Sequence, residues 1–398
     1  MIPHSRPTLS EKEVEAVSAV IRSGYIAQGE HVARFEKAFA GYVGVRYAVA
    51  TSSGTAALVL ALRALGVGAG DGVAMPSYVC SALLHATAMV DAEPVLVDIE
   101  DVGFNMDPND LRTRLTGGLR SKVQGPRSPM SRPRTLDVGR WTLDPKAVIL
   151  PHMFGTPATV ESVQRIGLPV IEDGAMAVGA MYNGRRVGAW GVLSIFSFYA
   201  TKMMTTGEGG MVVTDREDLA EKVRDIREYD NKQTHRTRFN FKMTDMQAAM
   251  GMVQLRKLDG FIRRRQAIAQ TYNQAFGNLD VDLLYVPPVQ RLNVSTFERS
   301  NVFVKPEDNS VFFRYVLQLR RGDVGAFITR LREMGIGAAR PVFRPLHQYL
   351  GLPGEAFPNT ERAFARTLSL PIYPTLSDEE VDQIVEGVKK CLSITDGF

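Results

Sequence analysis

Seven short apolar runs, each bounded by Gly, Pro or Asp and separated by stretches of helical spacing, constrain this chain more than any other feature. They fall at 47–51, 72–76, 94–98, 147–152, 169–172, 192–198 and 211–214. Their apolar residues are largely continuous and do not alternate, so both faces of each strand must be covered. The helical patterns between them supply that cover, and the arrangement predicts an α/β domain on a mainly parallel seven-stranded sheet. Two helices precede it. Ser10 and Glu13 form a capping-box pattern opening a helix with Val14, Val17, Val20 and Ile21 on one side and Gly24 as its stop. A second amphipathic helix is expected over 29–42, with Val32, Phe35, Phe39 and Tyr42 on one face.

Beyond 214 the rhythm changes. Charged helices are expected over 215–227 and 244–264, then a strand at 312–319, a helix at 324–334, a Pro-rich return at 340–347 and a last helix at 377–391. We read two domains: a large one over 1–259 and a smaller α+β one over 260–398, with the boundary near Gly260.

Composition narrows the class. The chain has 398 residues, 45% hydrophobic and 23% charged, an ordinary globular balance. Lys and Arg number 47 against 43 Asp and Glu, too small an excess to argue for nucleic acid without a focused patch. Cys80 and Cys391 make no disulfide framework, no apolar signal core opens the chain, and no stretch has the apolar length to span a membrane. A cytoplasmic enzyme is the expectation. No metal-ligand cluster is evident. Asn293-Val-Ser295 is a formal glycosylation sequon read as chance, and Gly66, Gly68 and Gly70 follow a helix, which makes them a C-cap and turn and not a dinucleotide loop.

The chemistry concentrates at three strand ends. The run 192–198 delivers Lys202 into a turn rich in Thr and Gly. It is either a surface lysine or a Schiff-base lysine, whose amine, desolvated, loses its proton near neutral pH and attacks a carbonyl carbon. The second reading, that of an enzyme using pyridoxal phosphate, demands a carboxylate at the pyridine nitrogen and a cradle for the phosphate. Asp173, at the end of the buried run 169–172, meets the first demand, although alone it would read as a turn cap. Ser52, Ser53, Gly54 and Thr55 open a helix over 56–65 and meet the second, although they also make a plain N-cap. Segment 117–146 breaks the α/β rhythm with seven basic residues against Asp137 and Asp144, as a surface loop or a basic flap meeting an anionic substrate.

Taken in order, these residues resemble the DegT/DnrJ/EryC1/StrS family of sugar aminotransferases, pyridoxal-phosphate enzymes of fold type I. The resemblance runs through Gly29 with Phe35 and Glu36, Ser53 to Leu58, Gly70 and Asp71, Pro94 to Asp98, Ile171 to Asp173, Phe196 to Lys202 and Thr206 to Gly210. It continues through Asn240, Thr244 and Asp245, Gln247 to Ala249, Pro345 to His347, Ser369 to Pro371 and Tyr373 with Pro374. It implies that Lys202 carries the cofactor and shuttles protons, that Asp173 pairs with the pyridine nitrogen, and that Gly54, Thr55 and Ser197 hold the phosphate. Asn240 would reach the phosphate of a neighbouring subunit in a homodimer with shared sites. His347 would lie near the substrate, with Lys242 as a further basic substrate contact.

The implied reaction moves an amino group from glutamate to a keto sugar, most often nucleotide-linked, with ping-pong kinetics. The rival readings are an aminotransferase for a keto-cyclitol or other non-nucleotide ketone, and a catalytically silent regulator on the same scaffold. Arg236, Arg238 and Lys242 favour a diphosphate-bearing substrate or form a solvated basic surface. The chain departs from the family pattern at two cofactor contacts. The aromatic that covers the ring aligns with Cys80, with Tyr78 two residues earlier on the same side by strand alternation. The Gln or His three residues past the ring-pairing acid is Met176, which has no hydrogen to donate. The basic segment is also longer than the family's usual connection.

Overall fold

All seven apolar runs enter one sheet, in the order 47–51, 210–214, 193–197, 170–173, 145–151, 72–76 and 93–97. The computed structural model describes residues 1–116, 145–283 and 309–395. Two helices lead, α1 (Glu11–Ser23) and α2 (Glu30–Val43). The sheet begins with β1 (Tyr47–Thr51), α3 (Gly54–Ala64), β2 (Gly72–Pro76), α4 (Ala82–Met89), β3 (Glu93–Val97) and α5 (Pro108–Thr116). It continues with β4 (Pro145–Pro151), α6 (Val160–Gln164) and β5 (Val170–Asp173). A side hairpin of β6 (Met181–Tyr182) and β7 (Arg185–Arg186) precedes β8 (Leu193–Ser197) and β9 (Gly210–Thr214). Strand β9 runs against both its neighbours, and every other pairing in the sheet is parallel.

Both sheet faces are covered, as continuous apolar strands require. Val49, Ile149, Ile171, Ile195 and Val212 pack with Leu58 and Leu62 of α3 on one side. Ala48, Ala50, Phe196, Met211 and Val213 face Phe35 and Phe39 of α2 on the other.

After α7 (Glu217–Arg227) comes the 32-residue helix α8 (Asp245–Phe276), opened by Thr244 and Gln247 in a reciprocal capping box. The C-terminal part holds β10 (Val281–Leu283), β11 (Tyr315–Leu319), α9 (Val324–Glu333), α10 (Leu346–Tyr349), α11 (Pro358–Arg366), β12 (Thr367–Leu370) and α12 (Asp378–Thr395). Strands β10, β11 and β12 form an antiparallel sheet of their own. Only the middle strand is legible in the sequence, because its partners are three and four residues long.

Gly260 lies inside α8 and interrupts nothing. One glycine costs a helix only about 1 kcal/mol, which flanking helix formers and packing outweigh. The change of core occurs farther along the same helix. Leu258 and Ile262 pack with Phe39. Ile268, Tyr272 and Phe276 join Leu317, Phe327, Leu370 and Val388 in a separate core that also takes in Ile2 from the chain start. The apolar side expected for α1 is only partly buried: Val20 points inward, while Val14 and Ile21 are 55% and 56% exposed. Glu13 is buried in their stead, because its carboxylate accepts from the Ser10 N–H and from Lys257 and Gln254 of α8.

Helix α2 cannot cap itself, since Gly29 at its N-cap has no side chain. The Asp245 carboxylate does so across 216 residues, accepting from the N–H groups of Gly29 at 2.8 Å, Val32 at 3.0 Å and His31 at 3.2 Å. A Cβ at Gly29 would lie 2.8 Å from that carboxylate. Replacing Asp245 with alanine strands those donors and is expected to lower unfolding free energy by about 2 kcal/mol. The effect should read as a lower urea midpoint at unchanged slope; an unmoved midpoint would show that the cap contributes nothing.

Candidate active site

Strand register brings the predicted residues to one edge of the sheet. Thr51 at the end of β1 and Ser197 at the end of β8 both pair with Gly210 at the start of β9. Asp173 at the end of β5 pairs with Ile195, two residues short of Ser197. The first turn of α3 therefore lies against Ser197. A Cβ on Gly54 would sit 2.7 Å from the Ser197 Cβ, and one on Gly210 would sit 2.4 Å from the Ser53 carbonyl oxygen. Only glycine permits this approach. Ser53 caps α3 by accepting from the Ala56 N–H, so the Gly54 and Thr55 N–H groups remain among the unpaired donors of the first turn. With the Ser197 hydroxyl beside them they make an anion cradle.

Lys202 belongs to a loop held at both ends. Phe198 N–H donates to Gly209 C=O and Thr206 N–H to Phe198 C=O, while Lys202 N–H closes a turn onto Tyr199 C=O. Thr205 adds bonds to Phe198 C=O and, through its N–H, to the Gln254 side chain. The Lys202 ammonium lies 5.1 Å from the centre of the Phe313 ring. Burial lowers its pKa below the ordinary lysine value, and the Arg314 charge adds to the drop, while Cys80 and Asp173 oppose it. This is the environment of a nucleophilic lysine, whose free amine is reached at lower pH than on a surface.

Asp173 is buried. Burial raises its pKa, and the Ala175 N–H, Lys202 and His152 pull it back. A cation beside it would stabilise the carboxylate, and a pyridinium ring is such a cation.

Sequence reasoning missed the pair behind Asp173. His152 Nδ1 accepts from the Ala158 N–H at 2.9 Å, so its proton is on Nε2, which donates to Glu172 at 3.0 Å. Glu172 also accepts from the N–H groups of Gly188, Trp190 and Gly191 and from the Ser194 hydroxyl. Burial works to raise its pKa, but the His152 proton and these donors hold it below the ordinary range. Two consecutive acids ending a buried strand were the available signal.

The other predicted residues separate. Tyr78 is fully buried, stacked 5.7 Å from Phe104 and edge-on to Phe154. Of the two residues expected to cover the ring, Cys80 is the one near Lys202 and Asp173: part of the residue is exposed, but its thiol is desolvated, which raises its pKa, with the Asp173 charge adding to the rise and Lys202 opposing it. Met176 is half-buried between the two large-domain cores. Asn240 is exposed between Phe239 and Phe241, whose rings stack at 4.6 Å.

His347 is buried with both ring nitrogens engaged, Nδ1 with Ser77 Oγ at 2.7 Å and Nε2 with Glu361 at 2.6 Å, and its ring stacks on Phe357. It joins the small domain to the β2 edge and has no nitrogen left for a substrate. Lys242 pairs with Asp230, and Arg236, Arg238 and Lys232 all pair with Asp225. The basic cluster is thus paired in part, three of its cations sharing Asp225 of α7 and the fourth meeting Asp230. Residues 117–144 of the basic stretch lie outside the described residues; Lys146 sits in β4, bonded to Gly66 C=O and Asp71. Among the described residues no group of acids, His and Cys is placed to hold a metal, and no helix is long and apolar enough to cross a membrane.

Residues 7–389 match the DegT/DnrJ/EryC1/StrS aminotransferase family. The chain belongs to that family and is an aminotransferase. The spore coat polysaccharide biosynthesis protein SpsC of Bacillus subtilis (strain 168) is 33% identical over 418 residues, spanning 98% of this chain and 96% of that protein. The aminotransferase TlmJ from Streptoalloteichus hindustanus is 28% identical, with a TM-score of 0.83 over 100% of both chains. DesV from S. venezuelae is 29% identical, with a TM-score of 0.79 over 96% of this chain and 94% of that one. The architecture is that of fold-type-I aminotransferases, and the cofactor is pyridoxal phosphate. The residues present fit it, in a first turn of α3 that a Cβ at Gly54 would push off Ser197 and a buried acid that a pyridinium would stabilise.

Gly54→Ala must push the first turn of α3 off the strand edge. We expect cofactor affinity to fall by about tenfold or more, a loss of at least ~1.4 kcal/mol, with the far-ultraviolet circular dichroism unchanged. Absorbance titration of the apoprotein measures this, and undiminished affinity would show that the cradle lies elsewhere.

Proposed function

We propose that this aminotransferase moves an amino group from glutamate to a keto sugar, nucleotide-linked, in two half-reactions that share one site. The observation carrying the reading is the meeting of Lys202, Asp173 and the open first turn of α3 at one sheet edge. The relation to a polysaccharide biosynthesis protein supports a carbohydrate acceptor.

Bound pyridoxal phosphate supplies an electron sink for the carbanion formed when a proton leaves the reacting carbon. Lys202 would hold the cofactor and move the proton at the reacting carbon, its lowered pKa favouring the free amine as a base. Asp173 holds the pyridine nitrogen in its charged form. Gly54, Thr55 and Ser197 anchor the phosphate. Asn240, turned outward by the stacked Phe239 and Phe241, is free to reach the phosphate site of a second copy, so that two subunits complete each other's sites. Cys80 and Met176 would stand near the ring where the family carries larger or polar groups, and neither would donate a strong hydrogen bond to it.

The pairing of Arg236, Arg238 and Lys242 with Asp225 and Asp230 favours a second reading, a ketone without a diphosphate, such as a keto-cyclitol. The test is absorbance of the cofactor-loaded protein before and after glutamate, followed by a panel of nucleotide-linked keto sugars and keto-cyclitols. Glutamate should bleach the visible band, and the true acceptor should restore it. Lys202→Ala should lose bleaching by on the order of 10³-fold or more; turnover surviving that change would overturn the assignment.

A further inference from the structure

Asp173 enters the site with one carboxylate oxygen committed. Its Oδ1 accepts from the Ala175 N–H at 2.9 Å, and among the described residues Oδ2 meets no donor. A carboxylate held by one oxygen serves a ring nitrogen only if the strand end that carries it neither shifts nor turns. Strand β5 cannot secure that by itself, since it spans four residues and stops at Asp173.

Strand alternation sends Glu172 to the sheet face opposite Asp173. There its two oxygens collect five donors. Oε1 accepts from the Trp190 N–H at 2.7 Å, the Gly191 N–H at 2.6 Å and Ser194 Oγ at 3.1 Å. Oε2 accepts from the Gly188 N–H at 2.9 Å and from His152 Nε2 at 3.0 Å. Val170 and Ile171 fill the same strand with buried apolar side chains, and an apolar residue at 172 would pack there without desolvating a charge. What the carboxylate adds is direction, because its bonds hold only at set distances and angles.

His152 passes that direction to Asp173. Its main-chain N–H donates to the Asp173 C=O at 3.1 Å while its ring donates to Glu172, so one residue at the end of β4 grips two consecutive residues of β5. The ring is fixed in turn: Nδ1 accepts from the Ala158 N–H at 2.9 Å, and the side chain has no exposed surface. On the other flank the Gly174 N–H donates to Ile195 C=O at 2.9 Å, and a Cβ on Gly174 would lie 2.4 Å from the Phe196 ring. Ser194 belongs to β8, the strand that ends at Ser197 and leads to Lys202, so the Glu172 carboxylate also ties β5 to the strand carrying the rest of the chemistry.

We propose that His152 and Glu172 are positioning residues, which set the Asp173 carboxylate against the ring nitrogen of the cofactor without touching cofactor or substrate. The proposal rests on the reading of Asp173 as the partner of that nitrogen. The charge of Glu172 serves geometry and not proton transfer, since five donors already occupy its oxygens on the sheet face away from Asp173.

The test compares two cofactors on the same apoprotein by calorimetry: pyridoxal phosphate, and its analogue with carbon in place of the ring nitrogen. Wild-type protein should prefer pyridoxal phosphate. His152→Phe keeps the main-chain N–H and a ring but loses the bond to Glu172; it should weaken pyridoxal phosphate by about tenfold and the carbon analogue by no more than about twofold. His152→Gln, whose amide nitrogen can stand where Nε2 does, should recover most of the preference. Glu172→Gln should show the same selective loss, and where that variant does not fold, the two His152 variants decide. In an Asp173→Asn background, His152→Phe should cost no further affinity for pyridoxal phosphate. Equal weakening of both cofactors, or an unchanged preference, would overturn the proposal and leave the pair a structural one. A wild-type protein that binds both cofactors equally would sink the reading of Asp173 itself, and this proposal with it.

Discussion

A carboxylate with no exposed surface, Glu172, organises the working edge of this sheet. Leaving it uncompensated would cost several kcal/mol, so the chain around it is arranged to supply donors. Gly188, Trp190 and Gly191 turn their N–H groups toward it, Ser194 adds a hydroxyl from β8, and His152 donates from the end of β4. Three strands and the loop entering β8 are fastened through one side chain. Its neighbour Asp173 inherits a fixed position, and the His152 N–H donates to the Asp173 carbonyl to complete the attachment. Preorganisation of this kind lets Asp173 remain a buried acid awaiting a cation without collapsing onto some other partner.

The C-terminal part is fastened to the same edge by polar contacts as well as by Val342, Leu346, Leu352, Phe357 and Ala363, which join the core on the α3 side of the sheet. His347 bridges Ser77 and Glu361. Asp98, buried just after β3, receives the first N–H groups of α11 from Asn359 and Thr360. Arg265 ties α8 to the Phe312–Phe313 carbonyls, and so sets where Phe313 and Arg314 stand relative to Lys202. Hydrogen bonds are directional where apolar contacts are not, so these clamps define a register between the two cores as well as an attraction. The chain start takes part too, through Ile2 in the small core and His4 against Arg314.

The sheet was legible because burial on both faces writes continuous apolar runs, and because Gly and Pro punctuate them. Lys202, Asp173 and Gly54 were legible as chemistry because each is an odd residue at a strand end. Tyr78 and Cys80 were indistinguishable by alternation, since strand periodicity assigns a side and says nothing of what occupies it; Phe104 and Phe154 claim Tyr78 for the core. His347 read as a substrate contact because a histidine in a Pro-rich return carries no mark of its partners. The basic residues before α8 left two readings open, a diphosphate-binding surface and a solvated basic face, because Asp225 and Asp230 are their partners only in space.

What the sequence determined by itself is the seven-stranded sheet, the capping box of α1 and the family, with Lys202 and Asp173 as its expected chemistry, all properties of local pattern or of ordered motifs. What tertiary structure alone decided is which side chains come together once the chain has closed. Arg314 stands in an aromatic run before a short strand and looks like any charged residue there. Only folding brings its ring neighbour to Lys202 and sets His4 behind it from 310 residues away. Pairing depends on distance in space, and a linear pattern does not carry it.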